Sequence, residues 1–325
     1  MKEQRGNEVE GGPHRGVHWF AIILAGMTLV LLIAGALVTT KDAGDSVPDW
    51  PLSFGRWLID SDYFVANVRY EYSHRFIAGV VGVTTFAFSV YACLSDRRRW
   101  FRRLAIILFV GVVAQALIGG VRVLFPTYKP FIAVPHALVA QSFFSAIIAM
   151  AVFTSKGWWE RREVRPDVAS PSLRRLSVVT VGAVLVQLVL GAGFRHQAFG
   201  IIPHILGAVA VTALVVWTAL TVFRHHGADA FLKRPALLAL TLLVAQVGLG
   251  IASYLARLAS HDDPQPVEPL ITLTALHLIV GAFTLATLVV LTLRSYRALA
   301  ADPERARRAA EGPADSLRSP RGATV

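Results

Sequence analysis

The sequence is poor in cysteine and in charged residues, and each shortage excludes a class of protein. Only one cysteine, Cys93, occurs among 325 residues. A disulfide within the chain and a metal cluster held by several cysteines are therefore excluded, and Cys93 is predicted to be a packed thiol. Charged residues make up 16% of the chain and hydrophobic residues 54%. This balance excludes an ordinary soluble domain and indicates an integral membrane protein.

Long apolar runs supply the spanning segments that such a protein needs. A transmembrane helix requires about 20 consecutive apolar residues, and eight runs reach that length. They predict helices over residues 18–39, 71–94, 102–123, 131–154, 173–194, 201–223, 235–256 and 269–293. No small-residue cleavage site follows the first run, which therefore predicts a retained helix rather than a signal peptide. The predicted fold class is an all-α integral membrane protein with eight transmembrane helices.

Lysine and arginine in the connecting segments predict how the helices are oriented. With the N-terminus in the cytoplasm, the cytoplasmic segments hold 24 of these residues and the outer segments hold 8. The positive-inside rule then places both termini in the cytoplasm. This distribution also explains the net charge of +11 as a topology signal and a contact with anionic lipid. Nucleic acid is therefore not an expected partner.

A unit of helix, outer loop and histidine-bearing helix occurs four times. The third, fifth and seventh predicted helices carry Gln115-Ala-Leu-Ile-Gly119, Gln187-Leu-Val-Leu-Gly191 and Gln246-Val-Gly-Leu-Gly250, while the first has Gly35 without the glutamine. Four units predict two four-helix halves related by duplication about an axis along the membrane normal. The predicted segments are a cytoplasmic tail (1–17), a first half (18–154), a cytoplasmic linker (155–172), a second half (173–294) and a solvated, disordered cytoplasmic tail (295–325).

Four histidines occupy the corresponding place in the four units, namely His74, His136, His204 and His277. Their helices all begin at the outer face, so we expect the four rings at one depth in the membrane. Pro135 and Pro203 precede two of them, which suits the first turn of a helix. Imidazole is a good axial ligand for haem iron, and two histidines per half predict one pair in each half. A single histidine at a helix start is more often interfacial or structural, but four in register favour a functional site.

An acidic residue distinguishes the first half from the second. Glu71 lies three residues before His74, so both side chains project from the same helix face. Two interpretations stay open. An acid in the first turn of a helix is stabilised by the helix dipole. Alternatively, a carboxylate beside a bound ring could take a proton or stabilise positive charge in a transition state.

The remaining polar residues carry weaker signals. The glutamines of the repeat are predicted to be structural and to bond between helices. Basic residues near the outer mouth are equally suited to pairing with ligand carboxylates and to reaching lipid phosphates. These are Arg122, Lys129 and Arg195. The histidines outside the repeat are assigned no functional role, namely His14, His18, His196, His225, His226 and His261.

These motifs together resemble the haem A synthase family. The resemblance rests on Glu71-Tyr-Ser-His74-Arg75, on Pro48-Asp-Trp-Pro-Leu52, on the four histidines and on the duplicated halves, and it covers about residues 18–294. It implies a membrane oxidoreductase that oxidises the methyl group at ring position 8 of haem O. The reaction passes through an alcohol and a hydrated aldehyde, and the resulting formyl group makes haem A for terminal oxidases.

The same resemblance implies roles for individual residues and partners. His74 and His136 would hold the substrate haem, His204 and His277 a haem b cofactor, and Glu71 would be the catalytic carboxylate. Arg75, Arg122, Lys129 and Arg195 would contact propionates or the motif. The implied partners are a haem O synthase, which is a protohaem farnesyltransferase, and a terminal oxidase or its assembly factors, and a homo-oligomer is compatible. The location would be the cell inner or plasma membrane, with the haem sites near the outer face.

The first outer loop departs from the pattern of many bacterial members. They carry a cysteine pair flanking the Pro-Asp-Trp-Pro segment, where this chain has Val47 and Ser53. A thiol-dependent redox step in this loop is therefore excluded here.

Two other functions explain part of the pattern. A bis-histidine b-type cytochrome that passes electrons to or from quinol needs the four histidines but gives Glu71 no task. A repeat-built transporter would place its polar residues near the membrane midplane, whereas these histidines lie at the rim.

Overall fold

The computed structural model describes residues 15–160, 162–263 and 265–300, and at residues 126 and 129 it describes the backbone alone. Nine helices account for most of this range. They are α1 (Arg15–Thr40), α2 (Val68–Ser95), α3 (Arg99–Leu124), α4 (Lys129–Thr154), the single turn α5 (Lys156–Trp159), α6 (Leu173–Arg195), α7 (Ile202–His226), α8 (Ala230–Ala259) and α9 (Glu268–Ala298). The eight long helices are long and apolar enough to cross a membrane, which confirms the predicted fold class.

The long helices pack as two closed groups of four. Helices α1 to α4 contact one another in order and α4 returns to α1, and α6 to α9 close in the same way. The two bundles meet where α4 contacts α6 and α9, and where α1 contacts α9. Phe144 is buried at this junction, and its ring lies edge-on to Phe283 with centroids 5.5 Å apart. A common origin of the two bundles by duplication stays a prediction.

Large apolar side chains cover the outside of both bundles. Leu94 and Val244, for example, are 81% and 74% exposed. In water such a surface would be costly, but in a bilayer it faces lipid chains of equal polarity. All backbone groups of a helix are paired within the helix, so the exposed faces leave no polar group unsatisfied.

The end of α9 corrects the predicted C-terminal tail. We predicted solvated chain from residue 295, but α9 continues to Ala298, and Ser295, Ala298 and Leu299 are buried. The strand β2 (Leu299–Ala300) pairs in parallel with β1 (Arg165–Pro166), which lies in the predicted linker. The pairing satisfies backbone groups that a solvated tail would leave to water. It also connects the linker to the residues that directly follow α9. Residues 301–325 lie outside the described range.

Seven of the eight helix starts also differ from the predicted ones, by one to five residues, and two of these differences change an assignment. Helix α1 begins at Arg15, so the last residues of the predicted N-terminal tail are helical, and residues 1–14 lie outside the described range. Helix α4 begins at Lys129 with Pro130 in its first turn, so Pro135 lies inside the helix and not in the first turn as predicted. Pro203 is the second residue of α7, in agreement with its prediction.

Candidate functional site

One cavity of about 2190 Å³ is lined by all four histidines of the repeat. It lies at the end of the molecule where α2, α4, α7 and α9 begin, and it extends from one bundle into the other. Cavities for drug-sized ligands are usually about 300–1,000 Å³. This cavity therefore has room for two large ligands. Its wall also includes Glu71, Arg75, Arg122 and Arg195.

Each of the four histidine rings packs against a glycine on the preceding helix. A Cβ atom added at Gly35, Gly119, Gly191 or Gly250 would lie 3.1, 3.2, 2.8 or 3.0 Å from Cε1 of His74, His136, His204 or His277, respectively. Real Cβ atoms are rarely so close to a neighbour, so glycine is what allows the ring to lie there. The repeat of glycines is visible in the sequence, but their contact with the histidines is a finding of the structure.

The second bundle brings His204 and His277 into the geometry of a shared metal. Their ring centroids lie 6.3 Å apart. Two imidazoles that ligate one ion from opposite sides, through metal–nitrogen bonds of about 2.0 Å, have ring centres roughly 6 Å apart. Nδ1 of His277 lies 3.1 Å from the carbonyl oxygen of Gln246. A proton donated there leaves Nε2 unprotonated, as in many metal sites, and the amide nitrogen of Gln246 lies 3.3 Å from that Nε2 atom.

The first bundle brings His74 and His136 to the same cavity. They lie close enough that a charge on one ring would repel a charge on the other. Nδ1 of each ring is buried and has no hydrogen-bond partner among the described residues. A buried polar atom without a partner costs about 1–3 kcal/mol. Both Nδ1 atoms lie beside the glycine of the preceding helix, 3.5 and 3.7 Å from a Cβ atom added at Gly35 and Gly119, and they are not exposed to the cavity.

The glutamines of the repeat fasten the histidine-bearing helices. Nε2 of Gln115 donates to the carbonyl oxygen of His136 at 2.9 Å, and Nε2 of Gln187 lies 2.9 Å from both the carbonyl oxygen and Nδ1 of His204. The predicted structural role of these side chains agrees with these contacts.

The histidine pairs suit a metal that brings its own equatorial ligands. Among the residues that the structure describes, no group of three or more His, Cys, Asp or Glu side chains could hold a bare metal ion. Two axial imidazoles, by contrast, are the whole protein contribution to a six-coordinate haem iron. The donor set, the spacing of His204 and His277 and the cavity volume all fit haem.

Both oxygens of Glu71 are bonded within the protein. The side chain is buried, Oε1 accepts a hydrogen bond from Nη2 of Arg75 at 2.6 Å, and Oε2 accepts one from the backbone N–H of Val47 at 2.9 Å. Glu71 thus lies in the cavity wall beside His74 and also anchors the first outer loop. The contact with Val47 was not foreseen from the sequence.

Arg75 holds the same loop through its backbone. Its guanidinium donates to the carbonyl oxygens of Val47, Asp49 and Leu52 at 3.0, 2.6 and 3.0 Å. Three carbonyls and one carboxylate converge on a single side chain that has five N–H donors. Hydrogen bonds and an ion pair, rather than a disulfide, therefore hold the Pro-Asp-Trp-Pro segment over the first bundle.

Asp49 and Trp50 complete this arrangement. The Asp49 carboxylate accepts hydrogen bonds from the backbone N–H groups of Phe54 and Gly55, both at 2.7 Å. Burial alone would raise the pKa of Asp49, but these hydrogen bonds bring it below its usual value. The Trp50 ring lies directly on Gly120 of α3, where a Cβ atom would collide with it. The loop is thereby packed on α3 as well as bonded to α2.

The cavity arginines bond to the end of α1 and the loop that follows. Nη1 of Arg122 donates to the carbonyl oxygen of Gly44 at 2.9 Å, and Nη2 of Arg195 to that of Thr39 at 2.6 Å. Nε of Arg195 is buried without a partner among the described residues. The side chain of Lys129, the third predicted basic contact, lies outside the described residues.

Arg257, His196 and His261 line the cavity but were given no functional role from the sequence. The Arg257 guanidinium lies 4.9 Å from the centre of the Phe194 ring. His196 directly follows the last residue of α6, and Arg257 lies in the last turn of α8. The repeat pattern marks neither position.

Comparison with known proteins places these observations in a family. A family model for cytochrome oxidase assembly proteins, COX15-CtaA, matches residues 18–203. The heme A synthase of Geobacillus kaustophilus is 30% identical over 140 residues, which are 42% of this chain and 43% of the relative. That of Exiguobacterium sp. strain AT1b is 28% identical over 186 residues, 56% of this chain and 59% of the relative. That of Exiguobacterium sibiricum is 26% identical over 185 residues, which are 56% of this chain and 60% of the relative.

The chain thus spans between about two fifths and three fifths of the length of these curated relatives. The residues matched by the family model include almost all of the first bundle and continue into the second, where the match ends next to His204. Because that match covers more than half of the sequence, this chain belongs to the COX15-CtaA family of cytochrome oxidase assembly proteins.

Proposed function

We propose that this protein oxidises the methyl group at ring position 8 of haem O to a formyl group and so makes haem A. Written with water as the oxygen donor, this conversion releases four protons and four electrons, and the electrons pass to an external acceptor. The observation that carries the proposal is a single cavity that holds two histidine pairs, with a buried carboxylate three residues from a histidine of only one pair. The relatives named heme A synthase support it, although each is matched over part of its length.

In this proposal the second bundle holds a haem b cofactor between His204 and His277. The 6.3 Å separation of the two rings supports this role. When bound, haem b supplies one-electron redox chemistry. The carbonyl oxygen of Gln246 can accept the Nδ1 proton of His277 and so orient that imidazole, and outer partners of this kind usually raise the affinity of a metal site about 10- to 100-fold.

The first bundle holds the substrate, haem O, between His74 and His136. Glu71 is then the catalytic carboxylate at the edge of the substrate ring. It stabilises positive charge that develops at the reacting carbon or accepts the proton that this carbon loses. Its bonds to Arg75 and Val47 fix the carboxylate before the reaction, so it need not reorient as charge develops. Arg75 is a positioning residue in this scheme.

The basic residues at the cavity bind the propionates of the two haems. Arg122 and Arg195 each give some of their donors to backbone carbonyls and keep others for a ligand. Paired guanidinium and carboxylate groups form the stronger class of hydrogen bond. Lys129, the first residue of α4, joins them in this role.

The excess of lysine and arginine in alternate segments supports an orientation with both termini in the cytoplasm and the haem sites near the outer face. A protohaem farnesyltransferase supplies haem O from the membrane, and a terminal oxidase receives the product. Both enzymes are partners of the reaction sequence in this proposal.

The experiment is co-expression of the chain with a haem O source in a host that makes no haem A, followed by chromatography of the extracted haems. We expect haem A, or its alcohol precursor, beside haem B, and neither in the same host without the chain. If the purified protein carries haem B alone and no oxidised haem O is formed, it is an electron-transfer cytochrome and the proposed reaction is wrong.

A further inference from the structure

The cavity is deeper along α2 and α3 than along the other six long helices. On α2 its lining reaches Phe86, twelve residues beyond His74, and on α3 it reaches Phe109, ten residues before Gly119. On each of the other six long helices the deepest lining residue lies within eight residues of the histidine or glycine of the repeat. At a rise of about 1.5 Å per residue, the cavity extends roughly one helical turn further along α2 and α3 than along the helices of the second bundle.

Two glycines line the cavity on the way to this extra space. Gly79 and Gly82 line the cavity at five and eight residues after His74, and a Cβ atom added at either would meet nothing within 4 Å. The corresponding residues after His204 are Val209 and Thr212, which are also in the cavity wall. At the positions that border the gap between the second and third helices, the first bundle (α2 and α3) has glycines where the second bundle (α7 and α8) has larger side chains.

The walls of the deep part are apolar, and its side is open. Phe86 and Phe109 close the inner end, with ring centroids 5.1 Å apart. Val83 and Val113 line the gap and are 71% and 44% exposed, so the gap between α2 and α3 opens toward the lipid-facing surface. We call the part of the cavity lined by Gly79, Gly82, Val83, Phe86 and Phe109 the α2–α3 groove. None of these five residues is charged, and the charged side chains that α2 and α3 contribute to the cavity wall lie nearer its outer end, at Glu71, Arg75 and Arg122.

We infer that the α2–α3 groove binds the isoprenoid tail of haem O. This inference rests on the proposed function, because it concerns the substrate placed between His74 and His136. Haem O differs from haem B by a long hydrocarbon substituent on the porphyrin edge. A haem b cofactor has no such tail, which fits the shallower second bundle. An apolar, lipid-open groove that begins at the histidine site lets the tail remain in a hydrocarbon environment while the ring binds.

The test fills the groove with the side chains of the second bundle. The double variant Gly79→Val/Gly82→Thr is compared with the control double variant Gly182→Thr/Gly248→Val. Gly182 and Gly248 are also open helical glycines with nothing within 4 Å of an added Cβ, but they do not line the cavity. Full-length purified protein is titrated with haem O or with tail-free haem B, and binding is followed by the Soret absorbance, with His74→Ala as the blank.

We expect wild type to bind haem O at least about tenfold more tightly than haem B at this site, since each methylene in an apolar pocket contributes a severalfold preference or more. The groove variant should lose at least tenfold in haem O affinity and change less than twofold toward haem B. The control should match wild type for both haems.

An equal loss for both haems, or no loss for either, would overturn the inference. Wild type that makes haem A but binds the two haems equally would overturn it as well, while leaving the proposed reaction intact. Tail-dependent binding in a protein that forms no haem A would support the groove and refute the reaction.

Discussion

Glu71 and Arg75 each have two tasks in this structure. Their side chains form a buried ion pair in the cavity wall, and both also bond to the backbone of the first outer loop. Because Glu71 anchors a loop in addition to its proposed catalytic role, it must be tested with a substitution that keeps its shape. Glu71→Gln keeps the shape and one acceptor oxygen, but it removes the charge and replaces the second acceptor oxygen with an NH2 donor.

For Glu71→Gln we expect normal haem content and haem A formation reduced about 100-fold or more, the range for loss of an acid–base or charge-stabilising group. Extracted haems per protein, separated by chromatography, measure both quantities. Glu268→Gln is the matched control, because Glu268 pairs with Lys41 near the same end but its side chain is 77% exposed. Normal haem A formation by Glu71→Gln would remove the catalytic role.

Arg75→Ala should destabilise the folded protein. Removing the guanidinium leaves three loop carbonyls without their donor and the buried Glu71 without its cation. Loss of one partner of a buried ion pair costs about 3–5 kcal/mol. Thermal unfolding in detergent and proteolysis within residues 41–67 would detect the change. Arg56→Ala, which breaks an exposed pair with Asp60, should cost no more than about 1 kcal/mol. Equal effects of the two substitutions would contradict the anchoring role.

At the scale of secondary structure, the repeated element is a helix pair joined by a glycine–histidine contact. The four contacts share one geometry, although α1 lacks the glutamine that α3, α6 and α8 carry four residues before the glycine. The glycine is thus the constant part of the unit and the glutamine is an addition. This explains why the position of His74 matches the other three without a glutamine beside it.

Gly191→Ala should impair haem binding in the second bundle. A Cβ atom there would lie 2.8 Å from Cε1 of His204, so the ring or the helix must shift. Overpacking of this kind typically costs about 1–3 kcal/mol, and it moves a metal ligand. We expect less haem B per purified protein, measured from its absorption spectrum. Gly182→Ala, on the same helix with nothing within 4 Å, should leave haem content unchanged, and an unchanged content in Gly191→Ala would refute the contact's role.

For the whole molecule, the sequence predicts the eight spans and the grouping of the histidines well. Both depend on strong signals, because a bilayer demands long apolar runs and a helix fixes the spacing of its side chains. His74, His136, His204 and His277 line one cavity for that reason. The assignment of one haem to each pair stays a prediction.

Features that depend on contacts between distant segments were missed. The bond from Val47 to Glu71 spans 24 residues and requires a loop conformation that no local pattern specifies. Burial of Leu299 depends on the pairing of β2 with β1, more than a hundred residues earlier in the chain. The cavity reaches deeper along α2, where Gly79 and Gly82 lie in its wall, and these two residues resemble other helical glycines in the sequence. Such features need the packed structure.

The central claim is that each bundle holds its own haem between its own two histidines. The most direct test produces two double variants, His74→Ala/His136→Ala and His204→Ala/His277→Ala, in cells that make haem O, and identifies the haems that copurify. His225→Ala, at the exposed end of α7, serves as the control. The first variant should lack haem O and haem A but keep haem B, and the second should lack haem B but keep haem O. Loss of the same haem in both variants, or of neither haem in either, would contradict the account.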